Sequence, residues 1–148
     1  MTLIGFSVLI SCGKTPANGP LDGMWRMEYR GTKSNAETSH FMPVTISSDF
    51  PIYWNVQLQL LTIVTPRSLH NGVTSESVAR FNYSGNELSV GPIYIHYRDR
   101  DSMLTDPTTS ALAPVGITGN AATFQILQLS SKRMVLRSST DSLVFKKI

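Results

Sequence analysis

Apolar and polar side chains alternate with a period of two along most of the chain after Pro20, which is the spacing of half-buried β-strands. Residues 21–30 set the pattern. Trp25, Met27 and Tyr29 fall on one face, and Arg26, Glu28 and Arg30 on the other. A polar loop over 31–40 follows, then a strand over Phe41 to Ser47. Residues 52–64 form the longest β-like run. Val56, Leu58 and Leu60 alternate with Gln57 and Gln59, then give way to consecutive apolar residues, which suggests a bulge or a stretch covered on both faces. Pro66 closes that run. Strands over 75–83 and 87–97 are joined by Ser84-Gly85-Asn86, a short hairpin connection, and Gly91-Pro92 predicts a kink in the second. Arg98-Asp99-Arg100-Asp101 reads as a solvated turn. Asp106-Pro107 has the form of a helix start, so a short helix is expected over 108–113, stopped by Pro114. Strands over 122–130, 133–138 and 141–147 finish the chain.

Eight strands in sequential hairpins predict an all-β fold, an antiparallel up-and-down barrel with one short helix; periodicity leaves a two-sheet β-sandwich open as the alternative. Composition agrees. Val, Ile and Thr supply 34 of the 148 residues, whereas Ala, Glu and Lys supply 16. The formal charge is +3 with no run of Lys or Arg, so no nucleic-acid partner is expected. A single cysteine excludes a disulfide framework within one chain.

That cysteine ends an uncharged N-terminal segment. Leu3 to Ile10 is almost wholly apolar, too short to span a bilayer, and leads through Ser11 to Cys12 and the breaker-rich residues 13–20. Apolar run, small residue and Cys together resemble the lipobox of bacterial lipoproteins, although no Lys or Arg precedes the run. The resemblance implies a signal peptide over 1–11, acylation of Cys12, a flexible tether over 12–20 and a single folded domain over 21–148. It also implies an address in the bacterial cell envelope, at the outer membrane. Each buried acyl methylene adds about 0.8 kcal/mol, so more than one chain gives stable anchoring.

Further residues carry a second resemblance. Gly23-Met24-Trp25 matches the G-x-W signature of lipocalins. With the lipobox it joins Ile52 to Leu60, Arg80 to Leu88, Ala113 to Ile117, Phe124-Gln125-Ile126 and Leu143 to Lys147. Together they resemble the small lipocalin-like lipoproteins of gut Bacteroidales. The resemblance implies that Trp25 packs across the closed end of the barrel, against a cation near the last strand, with Arg133, Arg137 and Lys146 as candidates.

Catalytic chemistry finds little support. His40, His70 and His96 lie in separate segments without metal-ligand spacing, and neither a nucleophile elbow nor a phosphate loop is present. Asp99 and Asp101 sit between arginines, as in a solvated turn. No enzyme activity, metal or cofactor is therefore expected. Binding of a small apolar or amphipathic molecule is the expected function, with Tyr29, Tyr53, Phe81 and Tyr83 as lining residues and Trp54, Tyr94 and Tyr97 as further aromatics. The rival is an accessory subunit of an outer-membrane assembly, with the barrel filled by its own side chains.

Overall fold

In the computed structural model, residues 16–35, 37, 39–69 and 76–148 are described. Cys12 and His70 lie outside them. Among the described residues ten strands form one antiparallel sheet: β1 (Gly23–Thr32), β2 (Met42–Val44), β3 (Tyr53–Gln57), β4 (Leu60–Val64), β5 (Glu76–Ser84), β6 (Glu87–His96), β7 (Asp101–Met103), β8 (Ala122–Leu129), β9 (Arg133–Arg137) and β10 (Asp141–Lys147). Eight of them close into a barrel in the order β1-β3-β4-β5-β6-β8-β9-β10, because β10 pairs back onto β1. That closure excludes the two-sheet sandwich. β2 and β7 are three-residue additions at the mouth, paired with β1 and β6.

Eight staves were expected, but two of the expected segments resolve differently. The run over 52–64 is two staves, turned back on itself at Leu58-Gln59, with Gln57 opposite Leu60. Leu58 adopts φ +56°, a left-handed conformation that costs a side chain with a Cβ roughly 1 kcal/mol. No Gly, Asn, Asp or Pro marks the turn. Conversely, the segment over 41–47 contributes only the short β2. The expected helix over 108–113 is also absent. Asp106 does cap the following backbone, its Oδ1 accepting from Thr108 N at 2.8 Å, but the chain then makes only turns and a 3₁₀ turn at Ala113–Val115 that contains Pro114. A second 3₁₀ turn covers Gly19–Leu21.

Inward positions are filled. Trp54 lies at the centre, its ring 4.9 Å from Phe145 and 5.8 Å from Phe124, centroid to centroid. Val56, Leu61, Ile63, Leu88, Ile93, Ile126, Met134, Leu136 and Leu143 complete the surrounding shell. Pairs of this kind add to the ~25 cal/mol per Å² of apolar burial.

Both ends are covered. At the closed end, Trp25 Nε1 donates to the carbonyl of Leu21 at 2.8 Å, and neither residue is exposed. Lys147 Nζ sits 4.7 Å from the Trp25 ring centroid and donates to Pro20 O at 2.8 Å. The cation over Trp25 is thus Lys147, not Arg133, Arg137 or Lys146, because Lys147 is the residue paired with Trp25 across β1 and β10. Arg133, Arg137 and Lys146 are exposed, and the Arg137 guanidinium lies over Phe41 at 5.5 Å. At the mouth, residues 104–121 form a strap whose Leu112, Val115 and Ile117 are fully buried. Gly116 has φ +87° and lies so close to Leu143 that an added Cβ would stand 2.6 Å from both its methyls.

Candidate functional site

The mouth of the barrel owes its chemistry to one extra residue. Between Met27 and Tyr29 the register of β1 on β10 shifts: Met27 faces Phe145, but Tyr29 faces Val144. This bulge at Glu28 reverses the parity of the strand. Tyr29, expected on the face of Trp25 and Met27, therefore turns outward and is 37% exposed. Arg30, expected outward, turns in opposite Leu143.

There Arg30 meets Asp141. Nε lies 3.2 Å from Oδ1, and the side chains are 12% and 1% exposed. The carboxylate is fully engaged. Its Oδ2 accepts from Thr140 Oγ1 at 2.7 Å and from Thr118 Oγ1 of the strap at 3.1 Å. A buried ion pair is tolerable when its remaining lone pairs are satisfied, as here. Asp141 thus ties β1, β10 and the strap together.

Only Nε of Arg30 is committed to Asp141. Arg30 also lines a cleft of about 160 Å³ with Val44, Thr45, Ile46, Ser47, Phe50, Ile52 and Pro114. A broader depression of about 630 Å³ adjoins it across Ile46 and Ser47, lined by Arg26, Met27, Glu28, Pro51 and Tyr53. The combined surface mixes apolar residues such as Ile46, Phe50 and Ile52 with the polar Arg26, Glu28, Ser47 and Ser48. A cation in an apolar recess suits a molecule with an anionic head and a hydrocarbon body.

The four aromatics expected to line one chamber divide between faces. Tyr53 alternates with the buried Trp54, so it points outward and borders the broad depression. Phe81 and Tyr83 point inward opposite Val90 and Leu88, half-buried against the core near the closed end. Tyr94 borders a separate outer cleft with Leu60, Val78 and Arg80. Tyr97 stacks beneath the Arg100 guanidinium at 5.8 Å. Trp54 is fully buried, and its Nε1 is an orphaned donor with no partner among the described residues.

His96 Nδ1 lies 2.7 Å from Asp101 Oδ1, both residues about half exposed on β6 and β7. His40 is exposed. Among the described residues no three His, Cys, Asp or Glu side chains gather as metal ligands. Asp106 is held below the usual 3.8 by the hydroxyl and the backbone N–H of Thr108.

Arg30, Asp141, Thr118 and Lys147 escaped sequence reasoning. Arg30 depends on a bulge that nothing in Arg26-Met27-Glu28-Tyr29 advertises, Asp141 and Lys147 on pairings more than a hundred residues apart, and Thr118 on the strap reaching Asp141.

Comparison with known proteins agrees with this architecture. The family described as a lipocalin-like domain matches residues 7–148. A lipocalin-like protein from Bacteroides uniformis superposes with a TM-score of 0.56 at 17% identity, covering 88% of this chain and 100% of its own. An uncharacterized protein from Bacteroides eggerthii gives 0.51 at 14% identity, covering 86% and 98%. No curated protein matches the chain.

Proposed function

The chain belongs to the lipocalin-like domain family, and from that premise we propose that it is an envelope lipoprotein, acylated at Cys12, that binds a small amphipathic anion without catalysis. A lipocalin-like barrel is a fold compatible with small-ligand binding. The ligand would sit at the mouth rather than in the deep lumen, which Trp54, Phe124 and Phe145 occupy. The observation that carries this reading is Arg30, bonded among the described residues through Nε and lining a mainly apolar cleft between β1, the 44–52 segment and Pro114. A carboxylate or phosphate head would take the remaining N–H donors, and an aliphatic body would lie along Ile46, Phe50 and Ile52. At about 160 Å³ the recess holds a head and a short length of chain, while the adjoining depression receives the rest.

Titration with cis-parinaric acid, a fluorescent fatty acid, tests the binding half. Saturable one-to-one binding is expected, with at least tenfold weaker affinity for Ile46→Asp, which puts a like charge beside the head group, and unchanged affinity for Tyr94→Phe. Equal affinity for Ile46→Asp and the parent would sink the site. The intact mass of protein extracted from its own envelope tests the other half: acylation of Cys12 appears as added mass abolished by Cys12→Ser.

The packed interior favours one further reading. If no amphiphile binds, the filled barrel is a rigid accessory domain that presents its outer surface to a protein of the same membrane.

A further inference from the structure

The closed end of the barrel carries a combination of side chains that the ligand site does not use. The β3–β4 turn projects Leu58 and Leu60, 66% and 45% exposed, and the adjoining chain ends leave Met24 41% and Ile148 59% exposed. These four share one end. Ile148 N donates to Met24 O at 3.0 Å, and Asn18 Nδ2 donates to Leu58 O at 2.7 Å. Lys132, Arg133 and Lys146 are exposed around the same end, where Lys146 pairs with Arg133 and Lys147 N donates to Lys132 O. Arg80 joins them beside Leu58 and Leu60. Asp49, Glu76, Asp99 and Asp106 lie about the mouth and strap, whereas Glu87 stands in the β5–β6 hairpin of the closed end and Asp101 shares an outer cleft with Leu60 and Arg80. Also at the closed end, Asp22 is engaged by Asn18.

Leu58 is the informative residue. A leucine in this left-handed turn position stays 66% exposed, and asparagine or glycine would be less strained. An exposed apolar tip with cations at the same end is an arrangement suited to meeting lipid headgroups and inserting shallowly between them.

We propose that the closed end docks on an anionic lipid surface, with Leu58 and Leu60 inserting at the headgroup level and Lys132, Arg133, Lys146 and Arg80 contacting phosphates. The orientation rests on the acylation of Cys12 proposed above. Three residues separate Cys12 from Pro16, a span of at most about 14 Å over four fully extended steps, and Asn18 is already bound to the β3–β4 turn. Anchored at Cys12, the domain has this end and no other within reach of the bilayer, and the ligand-binding mouth faces away from it.

The test uses the full chain carrying Cys12→Ser, which removes the acyl anchor from every sample. Co-sedimentation is measured with vesicles of phosphatidylglycerol and phosphatidylcholine at 3:1, and with phosphatidylcholine alone. Binding at least tenfold tighter to the anionic vesicles is expected, weakening as salt rises. The Lys132→Gln/Arg133→Gln/Lys146→Gln chain should lose at least tenfold. Leu58→Ser/Leu60→Ser should lose what binding survives at 0.5 M salt. Arg98→Gln/Arg100→Gln, at the far end, should bind as the parent. The proposal is overturned if the closed-end variants match the parent, if the far-end variant loses as much, or if neither vesicle is preferred. The two readings fail separately. Acylated native protein whose Cys12→Ser form ignores the vesicles keeps the anchor and rejects the docking. Vesicle binding that depends on the closed end, with Cys12 found unmodified, keeps the docking and rejects the anchor.

Discussion

Arg30 and Asp141 are separated by 111 residues in the chain and meet inside the barrel mouth, Nε to Oδ1 at 3.2 Å. The contact joins the first and last staves where the sheet closes on itself. Through Thr118 it also holds the strap across the opening. Stability and access to the mouth therefore depend on the same carboxylate.

Removing one partner should cost more than removing both. Asp141→Ala leaves the Arg30 charge buried without its counter-ion and is expected to destabilise the fold by about 3–5 kcal/mol in urea unfolding. The pair Arg30→Met/Asp141→Ala should recover a large part of that loss. Equal destabilisation by the single and double changes would show that Asp141 acts through its threonine contacts instead. Hydrogen exchange over 112–119 should speed up in Asp141→Ala before the barrel strands respond.

Trp25 is expected to hold the closed end through two separable contacts. Trp25→Phe keeps most of the ring but loses the hydrogen bond to Leu21 O, leaving a buried carbonyl unpaired, at a cost of about 1–3 kcal/mol. Lys147→Met removes the cation above the ring and the bond to Pro20 O, and should cost roughly 1 kcal/mol. Because the two side chains touch, the double change should depart from additivity in chemical denaturation.

At the β3–β4 turn, stability and membrane affinity should move in opposite directions. Leu58→Asn places a residue tolerant of positive φ at +56° and is expected to raise stability by about 0.5–1 kcal/mol. The same change removes half of the apolar tip, so vesicle binding should weaken. A Leu58→Asn chain that is less stable than the parent would mean that Leu58 makes contacts its 66% exposure does not suggest.

Acid should loosen the strap at Asp106. Its carboxyl is held below 3.8, first by the Thr108 hydroxyl and then by the Thr108 backbone N–H, so the charged form is favoured in the folded state. The stability this contributes is present above 3.8 and is lost as pH falls through the lowered folded value. An NMR titration of the Asp106 carboxyl should therefore give a midpoint below 3.8, moving up toward the ordinary value in Thr108→Val, which keeps the backbone donor but removes the hydroxyl. An unmoved midpoint in that variant would assign the effect to the backbone alone.

Much of the barrel is legible in the sequence, for identifiable reasons. β5, β6, β8, β9 and β10 begin and end within a residue or two of the expected bounds. There, alternation is interrupted by residues that cannot continue a strand, such as Gly85 at φ +59° between Ser84 and Glu87. The kink at Gly91-Pro92 is present as a register slip between Ala79 and Phe81 on the partner strand. The β3–β4 turn was not legible, because Gln57-Leu58-Gln59-Leu60 keeps perfect strand periodicity through the reversal. The candidate site fared worse. Of the four aromatics expected in one chamber, Tyr29 and Tyr53 turned out to face outward, and Arg30 replaced them as the informative group at the mouth.

The sequence by itself determined the all-β fold class and most of the antiparallel hairpin order. Each depends on local alternation and turn chemistry, which short stretches of chain carry in full. Tertiary structure alone decided which side chains enter the barrel above Met27, which cation covers Trp25, and that the chain ends, the β3–β4 turn and the cluster of Lys132, Arg133 and Lys146 share one end. The physical reason is that parity along a strand holds only until the first bulge. A single unpaired residue at Glu28 exchanges inside for outside, and its position is set by the fit of β1 onto β10, more than a hundred residues away.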